Sequence, residues 1–168
     1  MISPEKNINY SRNLMTEATK YRLEQELTLV LEKAAQSKLD IGDAAGRESD
    51  WHDNPAFELS NQEYDLFCLQ AALIRKKLEN AAIISPRSQT ENVDLGNNVV
   101  IQYEGEQPET ITVLGPDDAR QQVGWISYLS PLGSQLLHHS VGDVVNFSVQ
   151  KGIIHRVRIL SIHPGMFG

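Results

Sequence analysis

The chain has 168 residues, of which 40% are hydrophobic and 22% are charged, and its formal net charge is -7. This length is enough for one medium domain or two small ones, with roughly 70% of the unfolded surface buried on folding. The sequence contains no apolar run near the ~20 residues of a membrane span, no apolar N-terminal signal segment and one cysteine, Cys68, so we expect a cytoplasmic protein without membrane contact.

The first predicted element is a long helix from Thr16 to about residue 45. Thr16 is a suitable N-cap, and Glu17 carries a negative charge in the first turn, where the helix dipole favours it. The apolar positions follow a heptad pattern, with Ser37 at the one position that is not apolar. They are Leu23, Leu27, Val30, Ala34 and Ile41.

A second helix is predicted from about residue 57 to about residue 82. Leu59, Leu66 and Leu73 repeat every seven residues, with Leu69 between them. Two helices with matching seams and a short polar connection are expected to fold back as an antiparallel coiled-coil hairpin. Because the two seams satisfy each other, we expect a monomer.

The connection between the helices and the helix ends that flank it carry the net negative charge of the chain. Residues 40–65 contain eight acids and one base, Arg47, which sums to -7, so the other 14 acids and 14 bases cancel. Helices of about 30 residues place this connection roughly 40 Å from the base of the hairpin. The sequence therefore predicts an acidic tip near residues 46–56, which is suited to delivering carboxylates to a basic or metal-bearing site.

Short β-type runs follow a polar linker at residues 85–96. Strands are predicted at residues 98–103, 110–114, 124–128, 144–149 and 153–159, with a short helix at residues 130–137. The predicted fold class is α+β, with a helical hairpin at residues 1–84 followed by a small domain at residues 85–168, an antiparallel sheet with one short helix.

Two motifs resemble the Gre transcript-cleavage factors of bacterial RNA polymerase. Their tip has the form Gly-Asp-x-Ser-Glu-Asn-Ala-x-Tyr, and this chain reads Ser49-Asp50-Trp51-His52-Asp53-Asn54-Pro55-Ala56-Phe57 in register. Their C-terminal domain carries Ser-Pro-hydrophobic-Gly-x-x-Leu-Leu and then Val-Gly-Asp. Here these motifs are Ser130-Pro131-Leu132-Gly133-Ser134-Gln135-Leu136-Leu137 and Val141-Gly142-Asp143.

The resemblance implies an FKBP-like C-terminal domain that docks on RNA polymerase and a hairpin that enters the secondary channel of the enzyme. It implies that Asp50 and Asp53 share Mg²⁺ with the polymerase and so stimulate its own cleavage of backtracked nascent RNA. The factor is then not itself an enzyme, and in isolation it binds no cofactor. Mg²⁺ prefers carboxylate oxygens and readily shares ligands between protein and phosphate, which suits this role.

The resemblance also assigns supporting roles. The tip would be shaped by the residues around the two acids: Ser49, Trp51, His52 and Asn54. The docking segment would comprise Ser130, Pro131, Leu132 and Gly133. A basic cluster near the hairpin base is a candidate contact to RNA or polymerase, or else a solvated helix face: Arg75, Lys76 and Lys77.

The tip departs from the family pattern, and this leaves a second interpretation open. Asp53 stands where the family has Glu, which shortens its reach by about 1.5 Å, and a misplacement near 1 Å can cost about two orders of magnitude in rate. A regulator or inhibitor that occupies the channel without cleavage is therefore the alternative within the family. Outside it, the alternatives are an FKBP-like isomerase or chaperone, and a coiled-coil scaffold, which requires an exposed apolar seam.

Overall fold

The computed structural model of the protein describes residues 12–47, 55–86, 88–150 and 152–165. Across these residues the chain forms three helices: α1 (Glu17–Arg47), α2 (Pro55–Glu79) and α3 (Pro131–Leu136). It also forms seven strands: β1 (Asn13–Met15), β2 (Ala81–Ile83), β3 (Asn98–Tyr103), β4 (Glu109–Leu114), β5 (Trp125–Ser127), β6 (Val144–Gln150) and β7 (Ile153–His163). The predicted α+β class, with a helical hairpin followed by a sheet domain, is confirmed. No helix in the described ranges has the length and apolar character needed to cross a membrane.

The chain divides into a helical unit and a sheet unit at positions that differ from the predicted boundary. The helical unit is Lys20–Asn80, and the sheet unit combines the described residues up to Thr19 with those from Ala81 onward. The sequence predicts a single boundary, between residues 84 and 85. The N-terminal residues join the sheet unit because β1 pairs in parallel with β2, in a small two-stranded sheet that the sequence analysis did not predict.

The apolar seam of α1 lies where the heptad pattern predicts it. Leu23, Val30 and Ala34 are buried, and Leu27 and Ile41 are half-buried. The polar residue in the pattern, Ser37, is also buried, with 4% of its surface exposed. The seam of this helix is therefore continuous through its polar position.

The predicted seam of α2 is wrong. Leu59, Leu66, Leu69 and Leu73 each expose more than half of their surface. The residues that this helix buries are Ala71 and Ile74, and the half-buried aromatic residues preceding them are Phe57, Tyr64 and Phe67. Helix α2 carries two stripes at heptad spacing, and the stripe with the aromatic residues is the buried one, since aromatic rings bury more area than leucine. Lys33 of α1 lies 5.8 Å above the ring of Phe67, which places this stripe against α1.

The sheet unit is built on five strands in the order β5-β4-β3-β7-β6. Neighbouring strands are antiparallel except β4 and β5, which are parallel. The last two predicted strands are confirmed and form an antiparallel pair: β6 ends at Gln150, β7 begins at Ile153, and Gly152 takes a φ of 91°, which favours glycine. Strand β7 continues to His163, four residues beyond its predicted end.

The core of the sheet unit includes part of the segment that we expected to be a polar linker. Val93 is fully buried and Leu95 is 6% exposed, and both pack with the strands. Asn97 is also fully buried, and its side chain donates to the carbonyl oxygen of Gln89 and accepts from the backbone N–H of Asp94. The Asn97 side chain, directly after the predicted linker, therefore pairs with two backbone groups within it, and the side chains of Val93 and Leu95 anchor it in the core. Other core residues are Val99, Ile101, Val113, Leu114, Leu136, Val157 and Ile159.

Candidate functional site

The connection between α1 and α2 contains the predicted tip. Helix α1 ends at Arg47 and α2 begins at Pro55, so seven residues connect the two helices. The predicted tip residues Ser49, Asp50, Trp51, His52, Asp53 and Asn54 fall in the segment 48–54, which lies outside the described residues. Pro55 occupies the first position of α2, two residues before the predicted start, where its missing N–H leaves no backbone donor unpaired.

The predicted docking segment is organised by Ser130. The Ser130 hydroxyl donates to the carbonyl oxygen of Ser127 (2.6 Å) and accepts from the backbone N–H of Gly133 (3.0 Å), which caps α3. Pro131 follows at the first helical position. A Cβ at Gly133 would collide with the carbonyl oxygen of Ser127, so this position requires glycine.

Most of the docking segment faces inward. Leu132 and Gly133 are buried and Ser130 is half-buried, whereas Pro131 is exposed. Leu129, which directly precedes the segment, exposes 62% of its surface. Of the four residues predicted to dock, Leu132 and Gly133 are thus buried, and the exposed apolar side chains at this place are those of Leu129 and Pro131.

The Val141-Gly142-Asp143 motif forms a structural turn before β6. Gly142 has a φ of 95°, and its N–H donates to the carbonyl oxygen of Ile159 (2.8 Å). The Asp143 carboxylate accepts from the backbone N–H of Ser140 (2.8 Å), and the N–H of Ile159 donates to the carbonyl oxygen of Asp143 (3.0 Å). The motif thus joins this turn to β7, which accounts for its glycine and its acid.

The basic cluster lies near the C-terminal end of α2. Lys76 and Lys77 occupy the last turn, where positive charge is favoured by the helix dipole. Arg75 and Lys76 are exposed, and Lys77 is half-buried. This placement suits a solvated helix end as well as a contact to an anionic partner.

The sequence analysis missed a buried carboxylate that binds the start of α1. Asp118 has no exposed surface, and it accepts from the backbone N–H (3.1 Å) and the hydroxyl (2.7 Å) of Thr16 and from the backbone N–H of Gly115 (3.2 Å). The Thr16 hydroxyl accepts in turn from the N–H of Thr19 (3.3 Å), which confirms the predicted N-cap. The turn residues Gly115-Pro116-Asp117-Asp118 were a signal for a loop, but nothing in them indicated a partner 102 positions away.

Two tyrosines have raised pKa values. A side-chain hydrogen bond with Cys68 is the main cause that raises the pKa of Tyr64, with the charge of Asp65 adding to it. Burial raises the pKa of Tyr103, with contributions from Glu109 and Glu106. Both phenols stay neutral near pH 7, since an unperturbed tyrosine already titrates near pH 10. Within the described ranges, no group of three His, Cys, Asp or Glu residues is placed to hold a metal ion.

The chain combines a helical hairpin, whose connection is acidic in sequence, with a sheet unit that carries a helix capped by Ser130. These features are expected of a transcription elongation factor. The sequence model "Transcription elongation factor, GreA/GreB, C-term" matches residues 88–164. Transcription elongation factor GreA of Limosilactobacillus fermentum is 30% identical over 153 residues, covering 88% of this chain and 94% of the relative. GreA of Chlorobaculum tepidum is 29% identical over 137 residues, covering 80% and 86%.

The chain belongs to the GreA/GreB family of transcription elongation factors, as its two motifs predicted. Among solved structures, that of GreA factor homolog 1 (Gfh1) of Thermus thermophilus is 26% identical, with a TM-score of 0.41 over 90% of this chain and 99% of the other.

Proposed function

We propose that this elongation factor binds RNA polymerase in the cytoplasm, inserts its helical hairpin into the secondary channel and stimulates the polymerase's own cleavage of backtracked nascent RNA. The observation that carries the proposal is the position of the acidic segment in a chain of this family. Two long helices lead to and from residues 48–54, and α2 alone spans about 37 Å at about 1.5 Å per residue. The acids between the two helices can therefore be presented at the end of a long hairpin.

Asp50 and Asp53 are the residues proposed to act at the polymerase centre. Their carboxylates would hold a Mg²⁺ ion shared with the polymerase, because Mg²⁺ prefers carboxylate and water oxygens and often completes its ligand set with groups from a second molecule. A bound Mg²⁺ supplies charge stabilisation to phosphodiester hydrolysis. The isolated factor would hold no cofactor, and Ser49, Trp51, His52 and Asn54 would set the shape of the tip around the two acids.

Docking on the polymerase is proposed for the surface of Leu129 and Pro131. Both side chains are exposed next to the loop that the Ser130 hydroxyl holds rigid. An apolar contact on a preformed loop loses little conformational entropy on binding. The buried residues Leu132 and Gly133 support this surface rather than contact the partner.

The test is transcript cleavage in a backtracked elongation complex from the cognate polymerase. Asp50→Asn and Asp53→Asn are each expected to slow RNA shortening by at least about tenfold, since each removes a charged ligand worth more than about 1.4 kcal/mol in the transition state. The matched control is Glu48→Gln, which removes an acid from the same segment and is expected to retain activity. Polymerase binding is measured in parallel for every variant.

The outcomes separate the possible functions. A factor that binds polymerase and leaves the RNA intact is the non-cleaving regulator, which the shorter Asp53 favours. Failure to bind polymerase would contradict the proposal and would favour the alternatives of an FKBP-like isomerase or chaperone, or of a coiled-coil scaffold.

A further inference from the structure

Helix α2 has a second apolar stripe, which faces away from α1. It consists of Leu59, Leu66, Leu69 and Leu73, with exposed fractions of 57%, 51%, 59% and 54%. At about 100° per residue, the stripe is centred roughly 125° from the buried positions Ala71 and Ile74. The spacing of seven, three and four residues is that of a coiled-coil seam. The hairpin itself leaves this seam uncovered along α2.

The outward face of α1 has no such stripe. Its exposed large apolar residues, Tyr21, Leu29, Leu31 and Leu39, do not form a row at heptad spacing. At about 100° per residue Leu31 lies roughly 160° around the helix from Leu29, and the exposed polar residues Glu32 and Gln36 lie between Leu29 and Leu39. Scattered exposed leucines are common on protein surfaces, whereas an aligned row is typical of an interaction site. The exposed apolar residues of the helical unit therefore form an aligned row on α2 and a scattered set on α1.

The charges beside the stripe reverse along α2. Residues 55–66 carry three acids and no base, a net charge of -3, while residues 67–79 carry three bases and one acid, a net charge of +2. The acids are Glu58, Glu63 and Asp65, and the bases nearest the stripe are Lys76 and Lys77. A second α2 laid antiparallel on the first places acids opposite bases, whereas a parallel one places like charges together. The charge pattern is thus complementary to itself in one direction.

We propose that two copies of this chain associate through the α2 stripe in antiparallel orientation. In the seam register, Leu66 of one copy packs on Leu69 of the other, and the two-fold axis repeats this contact. Glu58 then lies near the Lys76 end of the second helix. This inference does not depend on the proposed function, and it replaces the monomer expected when these leucines were assigned to the hairpin seam.

The association is weak. Four leucines on each copy form less than the ~800 Å² per partner of a standard stable interface, so we expect a dissociation constant on the order of 10 µM or higher. Because the flanking charges are exposed, added salt is expected to raise the dissociation constant further.

Sedimentation velocity of the full chain over a range of concentrations tests the proposal. The wild type is expected to shift from monomer to dimer, and Leu66→Gln with Leu69→Gln is expected to raise the dissociation constant at least about tenfold. The matched control is Leu39→Gln, an equally exposed leucine of α1 (65%), which is expected to dimerise as the wild type does. Circular dichroism confirms that the variants keep their helices.

Charge reversal tests the orientation. Lys76→Glu and Glu58→Lys are each expected to weaken the dimer, and the double variant is expected to restore it. A chain that stays monomeric at every concentration, or that the Leu39→Gln control weakens equally, overturns the proposal. The proposal is also overturned if the Leu66→Gln, Leu69→Gln variant loses polymerase binding and the wild type forms no dimer, because the stripe would then be a contact surface for the polymerase. Two single charge variants that dimerise normally overturn the antiparallel pairing.

Discussion

Asp118 is the clearest case of a single residue whose role depends on a partner far away in the sequence, Thr16. Its carboxylate is fully buried and accepts from two backbone N–H groups and one hydroxyl, so its charge is compensated by donors rather than by a base. One of these partners, Thr16, also caps α1 through its hydroxyl. The same threonine therefore caps the helix and binds the Asp118 turn within the sheet unit.

Asp118→Asn is expected to lower the free energy of unfolding of the sheet unit by about 2–3 kcal/mol. The amide keeps the volume but loses charge-assisted hydrogen bonds and turns an N–H toward donors. The measurement is urea unfolding followed by Trp125 fluorescence in a Trp51→Phe background. The neighbouring change Asp117→Asn, at a half-buried position, is the control, with a loss below about 1 kcal/mol. Equal losses in the two variants would contradict the buried role of Asp118.

Helix α2 shows at the scale of an element that periodicity does not identify the buried face. Both of its stripes have heptad spacing, and the leucine-rich one is exposed. The buried one combines aromatic and small residues, with Phe67 under Lys33 of α1. A sequence pattern reports that a helix is amphipathic, but the rotation of the helix follows from which stripe fits its neighbour.

Two adjacent residues of α2 test this assignment. Ile74→Ala removes a buried side chain and is expected to cost about 2–3 kcal/mol of hairpin stability, whereas Leu73→Ala is expected to change it by less than about 0.5 kcal/mol. Urea unfolding is followed by circular dichroism at low protein concentration, so that self-association contributes little. A larger loss of unfolding free energy for Leu73→Ala than for Ile74→Ala would show that the leucine stripe, and not the aromatic one, packs against α1.

At the scale of the whole molecule, the sheet unit is built from both ends of the chain. Strand β1 pairs with β2, the N–H of Ile84 donates to the carbonyl oxygen of Met15 (2.8 Å), and a Cβ at Gly115 would collide with the carbonyl oxygen of Leu14. The backbone before α1 is therefore enclosed by residues that follow α2 in the chain. The hairpin is an insertion between two segments of one unit.

A comparison of two fragments tests this organisation. Residues 85–168 alone lack β1, β2 and the Thr16 donors of Asp118, whereas residues 12–19 joined to residues 81–168 by a Gly/Ser linker retain them. We expect the shorter fragment to melt roughly 10 °C or more below the linked one in calorimetry, because about 2 kcal/mol shifts the midpoint of a small domain by that amount. Equal midpoints would show that the N-terminal segment contributes nothing to the sheet unit.

Local patterns determined much of this protein. The two long helices, the Thr16 cap, the Ser130-Pro131 start of α3, the last β-hairpin and the family motifs all depend on neighbours within a few positions, and the sequence predicts them correctly. The two acids proposed for the tip, Asp50 and Asp53, and the basic cluster at the end of α2 are also identified from local sequence patterns.

The tertiary structure alone decided which α2 stripe is buried, that Val93 and Leu95 belong to the core, and that Asp118 binds Thr16. Each of these depends on a partner distant in sequence. A heptad or a turn signal specifies what a segment can form. What it packs against is set by the shape and hydrogen-bonding groups of segments that only folding brings together.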